Sequence, residues 1–312
     1  MSNDVVIRLQ KLTKVFRDFW LRARVVAVDG IDLEMARGEV LGLLGPNGSG
    51  KSTTIKMILG LLFPTSGSVE VLGRSPAHVE TKRHIGYVPE ESYLYPFLNA
   101  EETLDYYGRL FGLDARERRE RTATLLDMVG LTEVADRRLG EYSKGMQRRI
   151  NVAQALINDP DLLILDEPTT GLDPIGTRQI KDLILALRER GKSILLSSHL
   201  LADVEDVCDR MAFLYGGKIH RVGTVDELLT VSGNQVIETD TLPETAITRI
   251  QEIVEEEGHS VHSVTNPRRR LEQLFLEVVE EARRDGAATS GAGAGGSLAG
   301  FLAADAKSQG SK

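Results

Sequence analysis

Apolar residues recur along this chain in two rhythms. Five short runs are apolar almost throughout: "VLGLL", "HIGYV", "DLLIL", "SILLS" and "RMAFLY". Between them lie longer segments whose apolar positions return every three or four residues. Short buried strands alternating with helices predict a parallel sheet with helical crossovers. Three further runs near the start, "VVIRL", "IDLEM" and "GSVEVLG", carry Gly and Asp turn signals and are expected to pair antiparallel. From about residue 91 to 160 the rhythm is helical, as in "NAEETLDYYGRLFGL". Residues 5–230 thus read as one α/β unit with a mixed sheet core, an antiparallel β subdomain and a helical subdomain.

The pattern changes after residue 230. Residues 231–284 are acidic in "IQEIVEEEG" and end in "RRRLEQLFLEVVEEARR", where Leu271, Leu274, Phe275, Val278 and Ala282 share a helical face. That face suits an accessory helix packed on its own domain, or a contact with a partner. More than half of residues 285–312 are Gly or Ala. Such a tail buries too little apolar surface to offset chain entropy and is expected to be disordered.

Composition narrows the function. The 312 residues carry 38 basic and 46 acidic side chains, a formal charge of −8 that gives no reason to expect a nucleic-acid surface. The single cysteine, Cys208, leaves no disulfide framework and suits a reducing cytoplasm. The start, "MSNDVVIRLQ", does not read as a signal peptide, and no run approaches the roughly 18 apolar residues of a membrane span. Work at a membrane would therefore go through a partner.

Chemistry enters with "GPNGSGKST", Gly45–Thr53, set between a strand-like and a helix-like run. Gly45, Gly48 and Gly50 let backbone N–H groups curl around an anion, and the following helix start adds its positive dipole end. Lys51 supplies a charge for β- and γ-phosphates, and the Ser52 hydroxyl a ligand for Mg²⁺. Pro46, Asn47, Ser49 and Thr53 complete the loop. Downstream, "LLILDEPT" places Asp166 at a strand tip to hold the metal, and Glu167 beside it to orient or deprotonate water. These elements predict a P-loop nucleotide hydrolase.

The segments around them resemble the motifs of ABC-type ATPases, in the same order. "EYSKGMQRRINVAQAL" resembles the signature motif, with Ser143, Lys144, Gly145 and Met146 at its core. "GLDP" (Gly171–Pro174) resembles the D-loop with Asp173, "SSHLL" the switch histidine with His199, and "GYVPEE" the Q-loop with Glu90. Lys144, Met146 and Glu90 depart from the usual Gly, Gln and Gln. They, "ILGLLFPTSGSVEVLG" and "LEQLFLEV" resemble the drug- and antibiotic-exporter branch.

The resemblance implies an ATP-binding subunit of an ABC transporter that uses ATP and Mg²⁺. Catalysis would rest on Glu167 and His199. Metal would fall to Ser52, Asp166 and Glu90, and adenine would stack on an aromatic, with Phe16 the best match among Phe16, Phe19 and Trp20. It also implies a dimer of two copies, in which Ser143 and its neighbours reach the nucleotide of the other subunit. A separate transmembrane permease would hold the pair at the cytoplasmic face of the membrane. Two other readings stay open at this stage: a soluble ABC ATPase acting on ribosomes or DNA, and a non-hydrolysing regulator.

Overall fold

The computed structural model describes residues 5–17, 23–200, 202–230, 239–264 and 300–302. Phe19, Trp20 and the apolar face Leu271–Ala282 lie outside the described residues. In chain order the elements begin β1 (Val5–Arg17), β2 (Ala23–Ala36), β3 (Val40–Leu44), α1 (Lys51–Ile58), β4 (Ser66–Val71), α2 (Val79–Arg83) and β5 (Ile85–Val88). Next come α3 (Ala100–Leu110), α4 (Ala115–Met128), α5 (Lys144–Leu156), β6 (Leu162–Asp166), α6 (Pro174–Glu189) and β7 (Ser193–Ser198). The series ends with α7 (Ala202–Glu205), β8 (Arg210–Tyr215), β9 (Lys218–Thr224), α8 (Val225–Leu229) and α9 (Glu244–Glu256).

The early runs form an antiparallel sheet in the order β2-β1-β4, and the later ones a six-stranded sheet in the order β5-β6-β7-β3-β8-β9. The larger sheet is parallel except for β9, which folds back antiparallel on β8. That hairpin went unread in the sequence although its turn is marked: Gly216 and Gly217 both take positive φ, 55° and 79°, as a tight two-residue hairpin turn requires.

Strand alternation divides the core. Leu41, Leu43, Leu162, Ile164 and Leu195 face a cluster shared with β1, β2 and α1. Leu44, Leu163, Leu165, Ile194 and Leu196 face the opposite cluster, built with α3, α4, α5 and α6. Period-two alternation along a strand sends neighbours to opposite faces, so a sheet covered on both sides needs runs that are apolar at every position. The observed architecture is the mixed sheet, antiparallel sheet and helical insert expected.

Two well-capped helices start the insert. Asn99 with Glu102 and Asp114 with Glu117 form reciprocal capping boxes on α3 and α4.

The chain divides into two compact units, one of residues 1–228 with 288–312, the other of residues 229–287. In the second, α9 follows Pro243 and keeps Ile250 and Ile253 exposed. In the first, Gly300–Leu302 forms a single turn. Leu302 is fully buried in the helical-side core, and the Phe301 ring lies 4.7 Å from the Arg121 guanidinium. The rest of the Gly/Ala-rich tail lies outside the described residues.

Candidate active site

The order β5-β6-β7-β3 sets four loop connections side by side at the carboxyl ends of parallel strands. Glu90 follows β5, Asp166 ends β6 and Glu167 follows it, His199 follows β7, and the glycine-rich loop follows β3. Loops at that edge of an α/β sheet converge on one crevice.

The loop itself is built by close backbone approach. A Cβ on Gly45 would sit 2.1 Å from Leu214 O, and one on Gly50 2.4 Å from Ala27 O, with Gly50 at φ 109°. α1 begins at Lys51 with no side-chain cap, so its leading N–H groups remain for an anion. Lys51 is buried and donates to Gly45 O at 2.6 Å and Pro46 O at 3.3 Å. Its Nζ is also 3.3 Å from Glu167 Oε1.

Glu167 occupies the left-handed region at φ 50°, a conformation that costs a non-glycine residue of order 1 kcal/mol. Its N–H donates to Ser197 O at 3.2 Å and to Ser197 Oγ at 3.1 Å. On the side chain, Oε2 accepts from Thr170 Oγ1 at 3.1 Å and lies 2.8 Å from His199 Nδ1. Ser197 also donates to Asp166 Oδ1 at 2.5 Å. Burial raises the Asp166 pKa above its ordinary value; the Ser197 hydrogen bond opposes this, Glu167 adds to it, and Lys51 opposes it.

A raised carboxyl pKa in the folded state means that the native protein binds more protons than the unfolded chain above the ordinary 3.8. Stability therefore falls as pH rises from that value through the folded pKa, and the full penalty stands above it. Asp166→Asn is accordingly expected to melt at a higher temperature than wild type at pH 7 without nucleotide, with the difference shrinking toward pH 4. Melting curves across that range check it.

The residues fit a nucleotide with Mg²⁺. Ser49 Oγ is buried without a hydrogen-bond partner in the protein, as a group awaiting a polar ligand would be, and Glu167 Oε1 makes no hydrogen bond beyond its ion pair with Lys51. Ser52 and Asp166 offer the hard oxygen donors that Mg²⁺ prefers beside phosphate. The metal, when bound, would neutralise charge developing on the phosphoryl oxygens.

The remaining expected residues, Glu90 apart, lie elsewhere in the same unit. Ser143 caps α5, its Oγ accepting from Met146 N at 3.3 Å. Ser143 and Lys144 are exposed, and a Cβ on Gly145 would meet nothing within 4 Å. Met146 differs: its side chain is buried in the core, so only its backbone belongs to the exposed helix start. The Lys144 ammonium lies against Gly171, which puts the signature and the D-loop side by side. Asp173 caps α6, accepting from Gly176 N at 2.7 Å. Phe16 on β1 is exposed beside Val25 and Val26, with Lys14 Nζ 5.5 Å from its ring centroid. Glu90 is exposed.

Sequence reasoning missed Ser197 and Thr170, which hold the two carboxylates. The only signal was a hydroxyl residue two places before His199 in "SILLSSHL" and another three after Glu167.

This fold and loop define a P-loop nucleotide-binding protein. The ABC transporter family profile matches residues 28–170. An uncharacterized ABC transporter ATP-binding protein of Synechocystis is 43% identical over 72% of this chain; the chain spans 64% of that relative's length. The Nod factor export ATP-binding protein I of Ralstonia nicotianae is 39% identical over 75% of each chain. Among solved structures, the dimeric post-hydrolysis ATP-binding cassette MJ0796 bound to ADP and Pi is 28% identical, with a TM-score of 0.64 over 70% of this chain and 98% of that one. The chain belongs to the ABC transporter ATP-binding proteins, a family of ATPases.

Proposed function

We propose that this protein is the ATP-hydrolysing subunit of an exporter, acting as a pair of copies on a separate membrane subunit. The observation that carries the reading is the row of Lys51, Asp166, Glu167 and His199 at one sheet edge, combined with an open helix start at Ser143 and Gly145. One half of a phosphate site is complete, and a second anion-binding surface faces outward. Two copies arranged head to tail would close each nucleotide between the loop of one and the Ser143 helix of the other.

In this reading Gly45 to Thr53 hold the phosphates and Phe16 stacks on adenine. Ser52 and Asp166 hold Mg²⁺, with Glu90 near it. Glu167 activates water, and His199 orients Glu167 and meets the γ-phosphate. Residues 5–230 form the ATP-binding domain. The export direction rests on the Nod factor export relative and on the exporter-like departures Lys144, Met146 and Glu90.

The membrane contact is assigned to the segment after Glu90. Tyr93, Tyr95, Phe97 and Tyr106 are exposed there, with Tyr95 5.7 Å from Phe97 and 6.2 Å from Tyr106 between ring centroids. Clustered exposed aromatics mark an interaction surface. Among the described residues no helix is long and apolar enough to cross a membrane. Co-purification from detergent-solubilised membranes is expected to recover a multispanning protein, and Tyr95→Ala with Phe97→Ala to lose it. Recovery only with ribosomes or DNA would overturn the transporter reading.

A further inference from the structure

Arg148 lies on α5, little more than one turn beyond the Ser143 cap, and is 3% exposed. Its acceptors are backbone carbonyls: Nη1 donates to Pro89 O at 2.6 Å, and Nη2 to Glu90 O at 2.7 Å and Glu167 O at 3.3 Å. A buried guanidinium is costly unless its donors are met, and a residue that merely filled this space would be apolar. Burial works against the charge, and the carboxylates of Glu90, Asp166 and Glu167 work for it. One turn further along, the equally buried Asn151 donates from Nδ2 to Ser92 Oγ at 2.6 Å. The loop from Pro89 to Ser92 is thus fastened to α5 at both ends.

Glu167 is held from two sides. Ser197 of β7 takes its N–H, and its carbonyl accepts from Arg148 of α5 and from the Thr170 N–H of its own turn, both at 3.3 Å, so Arg148 is the donor that ties it to α5. Those two restraints flank the one strained peptide on which the position of the carboxylate depends.

We propose that Arg148 is a positioning residue that joins the signature helix, the Glu90 loop and the backbone of Glu167 into one unit, so that hydrolysis requires all three in register. The proposal rests on Glu167 being the residue that activates water. A displacement of α5, whether driven at Ser143 by nucleotide on the other copy or at the Glu90 loop by a membrane partner, is then transmitted to Glu167 through a single side chain. The planar fork matters as much as the charge, because one ammonium cannot span three carbonyls.

The test compares Arg148→Gln and Arg148→Lys with wild type, measuring kcat for ATP, the affinity for MgATP through a fluorescent ATP analogue, and the melting temperature. A misplacement of about 1 Å at a reacting group costs roughly 10²-fold in rate. R148Q is expected to lose about that factor in kcat while its ATP affinity stays near wild type, and R148K to recover part of the loss. If R148Q does not fold, R148K alone is expected to show reduced kcat at unchanged affinity. Turnover at the wild-type rate in the folded variants would overturn the proposal, as would kcat and affinity falling in step, the mark of plain destabilisation. Glu167→Gln separates the two ideas: wild-type hydrolysis in that variant removes the catalytic glutamate itself, whereas a stalled E167Q beside a fully active R148Q removes only the coupling.

Discussion

Glu167→Gln is expected to bind MgATP with near-wild-type affinity and to hydrolyse it about 10²–10⁴-fold more slowly, the usual worth of general-base assistance. The amide preserves size and keeps an oxygen to accept from Thr170 Oγ1, which now donates at 3.1 Å, but it cannot take a proton. Binding survives because Lys51 retains Gly45 O and Pro46 O as partners and gains the phosphates. Rates from phosphate release and affinities from nucleotide titration separate the effects. Wild-type turnover would show that Glu167 is not the base.

Lys51→Ala should fail in a different way. Without nucleotide, Lys51 Nζ stands 3.3 Å from Glu167 Oε1, and their side chains are 5% and 4% exposed. Removing one partner of a buried pair strands the other, at a typical cost of ~3–5 kcal/mol. The variant also loses a charge-assisted phosphate contact worth ~1.5–3 kcal/mol, or roughly 10- to 100-fold in affinity. K51A is therefore expected to melt earlier than wild type and to bind ATP weakly. The double variant K51A with E167Q should recover much of the melting temperature and none of the affinity, since no buried carboxylate is then left unpaired. A K51A protein as stable as wild type would show that the pair contributes nothing to the nucleotide-free fold.

Much of this was readable before any coordinates. The sheet announced itself because strands covered on both faces must be apolar at every position, as "DLLIL" and "SILLS" are. The phosphate loop was readable because Gly45 and Gly50 stand where a side chain would strike Leu214 O and Ala27 O, so the chemistry is written in glycine spacing. What stayed hidden is held by contacts distant in sequence. Ser197 reaches Asp166 across 31 positions, and Arg148 reaches Pro89 across 59; no local pattern marks either. The left-handed backbone of Glu167 was hidden for the same reason, being imposed by those neighbours against its own preference. Met146 was legible in part: its helical phase with Ile150 and Ala153 marks the apolar face that the core buries, while its place in the motif assigns its backbone to the exposed helix start.

The central claim is that two copies of this chain close around ATP and part after hydrolysis. Light scattering of the E167Q variant measures it most directly, by comparing the mass in MgATP with the mass in MgADP. A dimer in MgATP and a monomer in MgADP are the predicted result; a monomer in both would contradict the account.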